Sequence, residues 1–193
     1  PTQVVIVPIY RKDEDRVRVL ETAGEIRNEL DAAGVSVKLD DRESQRPGWK
    51  FHEHEVQGVP VRIAIGPRDL ENGTVEVARR DERTKEIVST EGLAQHVEQL
   101  LNDIQQNLYS RAMTFREEHT SSADTYDEFK SILEDKGGFV LAHWDGTAET
   151  EAVIKNETKA TIRCIPLDQP AEQGVDMVTG KPSSGRVVFA RAY

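Results

Sequence analysis

Cysteine, long apolar runs and recognisable catalytic motifs are scarce or missing in this sequence. Its 193 residues contain one cysteine, Cys164, which excludes an internal disulfide and a zinc site built from the chain's cysteines alone. No apolar run approaches the roughly 20 residues of a membrane span, and no secretory leader opens the chain. Phosphate-binding glycine loops and the HExxH, GxSxG and CxxC motifs are absent. We therefore expect a cytoplasmic chain without a membrane partner, and we find no convincing catalytic constellation.

The length and composition are those of a globular chain with much solvated surface. Hydrophobic residues make up 37% and charged residues 31% of the sequence, and the mean hydropathy is −0.59. The chain can form one large or two small domains. Because it begins with Pro1 rather than Met, we expect it to be a piece of a longer protein.

The net charge of −10 argues, as one global figure, against a nucleic-acid partner. The charge is unevenly distributed, however, being −3 over residues 1–41, +1 over 42–85 and −8 over 86–193. In the middle segment, cations alternate with Trp49, Phe51 and two histidines, a mixture that single-stranded nucleic-acid sites use. The same mixture is also found on ordinary charged surfaces, so charge alone leaves both interpretations open.

Hydrophobic periodicity predicts an α/β fold. A buried strand at residues 4–7 is followed by a helix over 13–33 and a strand over 35–39, which together form a βαβ unit. A short helix over 49–56 precedes strands near 61–65, 74–78 and 87–88. In the strand at 61–65, Arg62 alternates with the apolar residues, so we expect it to meet a ligand or solvent.

The second half of the sequence predicts a long helix followed by a smaller α/β domain. The helix begins beyond Gly92, and further helices are expected over 124–136 and 147–158. Strands are expected over 139–142, 160–165 and 187–190, with a loop over 168–185. We predict domain boundaries that separate residues 1–91, a connecting helix at 92–118, and residues 119–193.

Two polar features favour structural roles when they are considered alone. His52 and His54 are two positions apart, so on a helix they point in different directions and cannot ligate one metal ion as an i, i+4 pair can. Cys164 lies on an apolar strand and is most simply a small core residue. Neither feature predicts a metal site.

Long motifs in this sequence closely resemble prolyl-tRNA synthetase. Residues 40–55 (DDRESQRPGWKFHEHE) and 58–70 (GVPVRIAIGPRDL) are similar to its anticodon-binding domain. Residues 137–144 (GGFVLAHW), 160–167 (ATIRCIPL) and 185–193 (GRVVFARAY) are similar to the extra C-terminal domain of the archaeal/eukaryote-like branch. The resemblance implies a mixed-sheet, class II anticodon-binding domain, a long helix and a C-terminal zinc-binding-like domain, with the catalytic domain upstream.

The resemblance also implies which residues read the tRNA(Pro) anticodon, which contains two guanines. Glu55 falls where the family accepts hydrogen bonds from a guanine edge, and Arg62 where it donates them. Candidate phosphate or second-guanine contacts are Arg79, Arg80 and Lys85. Lys50 and Phe51 are candidate contributors of charge and stacking. Helix packing is the alternative for Phe51 and the favoured interpretation for Trp49.

The sequence departs from the family at a zinc site that many relatives carry in the last domain. Of the cysteine ligands, Cys164 alone is retained here, and other residues occupy the remaining ligand positions. Asp145 follows Trp144, and Glu149 stands near the position of a second ligand. Asp176 and Thr179 precede Gly180. One sulfur with scattered carboxylates is a poor zinc site. We therefore expect no bound metal, with Cys164 as a vestige and with packing or polar contacts among the replacements holding the domain together.

By the same resemblance, the parent enzyme is a homodimeric proline–tRNA ligase that uses ATP with magnesium in its catalytic domain. This chain itself is expected to be non-catalytic and to hold no cofactor. The terminal Tyr193 is expected to dock onto the catalytic domain. The alternative is a free-standing RNA- or protein-interaction module on the same scaffold.

Overall fold

The computed structural model of the chain describes residues 1–168 and 171–192. The chain forms two compact units, Pro1–Ser110 and the part that begins at Arg111, and each unit has its own apolar core. Tyr193, whose docking the resemblance implies, lies outside the described residues. Among those residues, no helix combines the length and the apolar character that a membrane span needs.

The first unit is built around one mixed sheet with the strand order β2-β1-β3-β4-β5. The strands are β1 (Val4–Pro8), β2 (Val37–Leu39), β3 (Val61–Ile65), β4 (Thr74–Arg79) and β5 (Thr84–Ser89). The helices are α1 (Asp13–Ala32), α2 (Pro47–Val56), α3 (Pro67–Asn72) and the part of α4 (Leu93–Glu118) that precedes Arg111. β1 pairs in parallel with β2 and β3, whereas β4 and β5 are antiparallel additions. The predicted α/β class and βαβ unit are confirmed.

The periodicity of α1 accounts for its packing. Its buried residues recur three or four positions apart and so form one apolar stripe, which consists of Val19, Ala23, Ile26 and Leu30. The helix ends before Gly34, which adopts the left-handed conformation with φ of 82°. This stripe packs on one face of the sheet together with the first part of α4.

The two faces of the sheet differ in their covering. Val4 and Ile6 point to the face that α1 and α4 cover, whereas Val5 and Val7 point to the opposite face, where Phe51 of α2 packs. The side chains of β5 remain mostly exposed. The face that α2 only partly covers is the one that carries the candidate functional residues.

One short helix of the first unit was not predicted. Residues 67–72, between β3 and β4, form α3, which ends at Asn72. Pro67 suits the first turn of a helix, and the Asp69 carboxylate accepts a hydrogen bond from the Gly66 N–H at 2.8 Å. Gly73 is therefore a helix C-cap, with φ of 62°.

The second unit contains a four-stranded sheet with the order β6-β7-β11-β8. Its strands are β6 (Thr120–Ala123), β7 (Phe139–His143), β8 (Ala160–Cys164) and β11 (Arg186–Arg191), and β9 (Gly174–Val175) pairs separately with β10 (Pro182–Ser183). The helices are α5 (Tyr126–Asp135) and α6 (Ala148–Thr158). The rings of Phe129 and Phe189 meet edge to face in its core, with centroids 5.2 Å apart. β6 and the β9–β10 pair were not predicted, because each is very short.

Candidate nucleic-acid interface

Helix α2 and strands β3 and β4 bring five of the seven predicted site residues around one recess. The lining includes Phe51, Glu55, Arg62, Arg79 and Arg80. Its volume of about 30 Å³ leaves room for roughly two water molecules, so the recess cannot enclose a nucleobase. A base would have to bind at its mouth or on the neighbouring open sheet.

Arg62 is buried and therefore does not meet solvent, whereas its contact with a ligand stays a prediction. Its exposed fraction is 6% because α2 lies over this face of β3. The guanidinium carbon lies 3.6 Å from the ring centroid of Phe51, a cation–π contact, and Nη1 donates to Oε1 of Glu76 at 3.2 Å. Nε has no hydrogen-bond partner among the described residues. The Phe51 ring packs on Arg62 and near Val5, so here it supports the arginine.

Glu55 and Arg80 lie at the mouth of the recess. Glu55 is exposed on α2, one helical turn after Phe51. The backbone carbonyl of Glu55 accepts a hydrogen bond from Nε of Arg80 at 2.9 Å, which ties the end of β4 to the end of α2. Both residues therefore line the recess, and their contact with a nucleotide stays a prediction.

Lys50 and Arg79 are bound to internal carboxylates or carbonyls, and their predicted contacts with the anticodon stay predictions. Lys50 is only 4% exposed, and its Nζ donates to the backbone carbonyl of Asp40 at 2.9 Å. Arg79 points to the opposite face of the sheet, where Nε and Nη2 donate to the two carboxylate oxygens of Asp81 at 2.8 and 2.7 Å. Neither cation is presented to a phosphate in this arrangement.

Lys85 lies on β5 and is exposed, on the face that α2 only partly covers. Its Nζ lies 3.4 Å from Oε1 of Glu76, the same oxygen that accepts from Arg62. Arg62, Glu76 and Lys85 therefore form one charged row across three adjacent strands. Sequence reasoning missed Glu76, although the alternation of β4 places it on the same face as Arg62.

A second charged cluster anchors α2 to the end of β2. Asp40 is 1% exposed and binds Arg42 through both carboxylate oxygens, at 2.8 and 2.7 Å. Its Oδ2 also lies 2.9 Å from Nε2 of His54. The hydrogen bonds from Arg42 are the largest cause that lowers the pKa of Asp40, against the opposing effect of burial, and His54 and Lys50 add to the lowering.

This cluster explains how α2 presents its other residues. Lys50 and His54 are one turn apart and face Asp40, while Phe51 and Glu55 are the next residues around the helix and face the recess. Potential ligand atoms of Asp40, Glu53 and His54 lie close together, but the guanidinium of Arg42 contacts both carboxylates. The arrangement is an ion-pair cluster, because this cation already neutralises the acidic groups that a metal ion would need.

The residues at the family's zinc positions in the second unit do not fit zinc. Oδ2 of Asp145 accepts hydrogen bonds from the hydroxyls of Thr150 and Thr179 at 3.0 and 3.3 Å. Oδ1 of Asp176 accepts from the Val178 and Thr179 N–H groups at 2.8 and 2.6 Å, and its Oδ2 accepts from the Asp145 N–H at 3.1 Å. The polar contacts predicted among the replacements are therefore present.

Burial and hydrogen bonding act in opposite directions on Asp145. Burial by itself raises the pKa of its carboxyl group, but hydrogen bonds from Thr147, Thr150 and Thr179 outweigh it, and the pKa is lowered. The carboxylate is thus charged and its oxygens are already used.

Cys164, predicted as a small core residue, is instead exposed because it stands at the end of β8.

An open mixed sheet with a partly covering helix, a buried arginine and exposed cations beside it defines a candidate nucleic-acid-binding domain. Comparison with known families is more specific. Residues 3–100 match the family described as "Anticodon binding domain", and residues 126–193 match "Prolyl-tRNA synthetase, C-terminal". The chain belongs to the anticodon-binding domain family.

Individual relatives are similar over the whole chain. Enzymes named proline–tRNA ligase are 58% identical in Porphyromonas gingivalis, 53% in Christiangramia forsetii and 54% in Flavobacterium johnsoniae, each over 100% of this chain. The chain spans only 39% of the length of these relatives. All three organisms are bacteria, so the predicted archaeal/eukaryote-like branch is not borne out.

Proposed function

We propose that the first unit binds the anticodon of tRNA(Pro) and that the chain is part of a proline–tRNA ligase. The observation that carries the proposal is the placement of Glu55, Arg62 and Arg80 around the recess between α2, β3 and β4. Family membership and the relatives' names support it. Residues 1–91 would be the anticodon-binding domain, 92–118 the connecting helix and 119–193 the C-terminal domain.

Guanine recognition follows from the chemistry of the mouth of the recess. The Watson–Crick edge of guanine has two adjacent donors, which the exposed carboxylate of Glu55 can accept. The O6/N7 edge suits an arginine fork, so Arg62 would exchange its Glu76 contact for a base. The exposed cations Arg80 and Lys85 are suited to phosphate oxygens or to the second guanine.

The remaining length of the relatives leaves room for the other parts of the enzyme. We propose that a class II catalytic domain in the longer parent protein activates proline with ATP and magnesium and transfers it to tRNA. The parent would act as a homodimer in the cytoplasm, and this chain would contribute recognition and no catalytic residue. The second unit would hold its fold without zinc, through the Asp145 and Asp176 hydrogen bonds.

A salt-dependent titration of the chain with tRNA(Pro) and with a non-cognate tRNA tests the proposal. The slope of log K against log salt counts neutralised phosphates, while the affinity ratio reports base reading. We expect preference for tRNA(Pro) with a shallow slope, because few exposed cations surround the recess. Equal affinity for both tRNAs would contradict the proposal and favour the free-standing interaction module.

Arg62→Ala tests the role of the buried arginine. We expect it to lose about 1–3 kcal/mol of discrimination between the normal anticodon and one with a guanine replaced, which is typical of a bidentate base contact. Arg27→Ala, which removes an exposed arginine from α1, is the matched control and should leave discrimination unchanged. Unchanged discrimination by Arg62→Ala, with its fold intact, would refute the assignment.

A further inference from the structure

Two buried polar atoms at the recess lack hydrogen-bond partners among the described residues. They are Nδ1 of His54 on α2 and Nε of Arg62 on β3. His54 is 1% exposed and Arg62 is 6% exposed, and both residues line the recess. Buried polar atoms of folded proteins bind ordered water where no protein group reaches them. The recess therefore contains two atoms that need the same kind of partner.

The recess has the size and the polarity that a buried water molecule needs. Its volume of about 30 Å³ leaves room for roughly two waters. Empty cavities in proteins are apolar, whereas this one has polar atoms at its wall. The apolar side chains of Val5, Val59 and Ala78, which complete much of the lining, offer neither a donor nor an acceptor. Water is thus the partner that fits both the space and the two atoms.

The other nitrogen of His54 determines where the ring carries its hydrogen. Nε2 lies 2.9 Å from Oδ2 of Asp40, which is ionised because hydrogen bonds from Arg42 lower its pKa. An ionised carboxylate only accepts, so Nε2 is the donor. Arg42 and Lys50 already balance this carboxylate, which favours a neutral ring with Nδ1 as an acceptor. Nε–H of Arg62 is a donor, and a water molecule can join the two because it both donates and accepts.

We propose that the recess is a binding site for ordered water, which donates a hydrogen bond to Nδ1 of His54 and accepts one from Nε–H of Arg62. The water completes a chain of hydrogen bonds that runs from Asp40 through His54 and Arg62 to Glu76. Stacking on Phe51 fixes the plane of the guanidinium but not its rotation within that plane. His54 is therefore a positioning residue that acts on Arg62 through water. This inference goes beyond the proposed function and concerns the chain without RNA.

Nuclear magnetic resonance of the full 193-residue chain tests the bridge directly. Nitrogen-15 spectra of histidine distinguish the two neutral tautomers and the charged ring, and we expect the hydrogen of His54 on Nε2 alone. We also expect a nuclear Overhauser effect between water and Nε–H of Arg62. This hydrogen should exchange with bulk solvent more slowly than Nε–H of Arg18, which is exposed on α1.

Two replacements of His54 separate the roles of its nitrogen atoms. The amide group of Gln reaches the position of Nε2, so His54→Gln keeps a donor to Asp40 and loses the acceptor at Nδ1. The shorter Asn has its amide group near the position of Nδ1, so His54→Asn keeps that acceptor and loses the donor. Exchange of Nε–H of Arg62 should become roughly 3- to 10-fold faster in His54→Gln, the size expected from the loss of one hydrogen bond, and stay near the wild-type rate in His54→Asn.

A purely structural role of His54 predicts the reverse order. His54→Asn breaks the contact with the buried Asp40 carboxylate, so it should be the less stable of the two variants. Thermal unfolding would measure this difference. Faster exchange in the more stable variant therefore reports the water bridge and not a general loosening of the first unit.

Ala78→Val tests the space that the water occupies. Ala78 lines the recess on β4, and the two added methyl groups would fill it. Oxygen-17 relaxation dispersion of water counts long-lived buried molecules, and we expect at least one fewer in Ala78→Val than in the wild type. The matched control is Ala32→Val at an exposed position of α1, which should leave the count unchanged.

The outcomes decide the inference even if one variant fails to fold. A hydrogen on Nδ1 of His54, or equal water counts in the wild type and Ala78→Val, would overturn it. Exchange of Nε–H of Arg62 that is equally fast in both His54 variants would overturn it as well. The Nε2 tautomer, a displaced water and fast exchange confined to His54→Gln would support it. Since no measurement involves tRNA, failure here leaves the proposed function standing, and failure of the tRNA titration leaves this inference standing.

Discussion

In the first unit Asp40 and Asp81 are buried against cations, whereas in the second unit Asp145 is buried mainly against hydroxyl and backbone N–H groups. Asp176 also accepts only backbone N–H and hydroxyl donors among its described hydrogen bonds. Both solutions keep the carboxylates charged, since the pKa values of Asp40, Asp81 and Asp145 are all lowered. The two units differ in the side chains that donate to the carboxylates. The first unit uses basic side chains, whereas the second unit uses short polar ones.

This difference matters for the proposed binding of RNA. Arg42, Lys50 and Arg79 contribute to the charge count of the middle segment, but each of them contacts an internal acidic residue. The positive charge available to a phosphate backbone is therefore smaller than the sequence suggests. Under the proposed function, recognition by the first unit would depend on a few well-placed groups rather than on a strong basic surface.

The largest effect is expected where a buried carboxylate holds several cations. Asp40→Asn should lower the free energy of unfolding of the first unit by about 3 kcal/mol, because Lys50 is left buried without its charged partner. Hydrogen exchange read by mass spectrometry would localise the loss to α2 and β2. Asp41→Asn removes an exposed neighbouring charge and is the control.

The pH dependence of the difference in unfolding free energy between wild type and Asp40→Asn checks whether ion pairing causes that difference. A carboxylate with a lowered pKa stabilises the fold above its unfolded pKa of about 4, and the contribution disappears as the pH falls. The difference between wild type and Asp40→Asn should therefore stay constant from pH 7 to about pH 5 and shrink progressively as the pH falls below about 4, toward the lowered pKa of the folded state. A difference that does not depend on pH would show that ion pairing is not its cause.

A smaller effect is expected for the network of hydrogen bonds in the second unit. Asp176→Ala removes the acceptor of the Asp145, Val178 and Thr179 N–H groups and should cost about 1–3 kcal/mol. Hydrogen exchange should increase in the second unit and not in the first. Asp168→Ala, at an exposed site, serves as the control, and equal stability of the two variants would contradict the structural role of Asp176.

The smallest effect is expected from metal removal. If hydrogen bonds replace the metal in the second unit, a strong chelator should leave the thermal midpoint unchanged, whereas a structural zinc site would unfold. Elemental analysis of the purified chain provides the second measurement. About one zinc per chain, or a clear fall in the midpoint with chelator, would overturn the contrast between the units.

Much of the fold can be predicted from local patterns. The stripe of α1, the left-handed Gly34 and the alternation of β3 are direct consequences of residue spacing. Shorter elements such as α3 and β6 were missed because four to six residues carry little periodicity. The grouping of Glu55 with Arg62 was implied by the family motif, and the recess is consistent with it.

The sequence by itself determined the α/β class, the positions of the long elements and the residues that resemble an anticodon-binding motif, because these depend on spacing along the chain. The tertiary structure decided which charged residues remain available. Arg79 and Lys50 are bound to internal partners, Arg62 is covered by α2, and Glu76 is brought between Arg62 and Lys85. These outcomes depend on which strands pair and which face a helix covers, and thus on contacts between residues far apart in the chain.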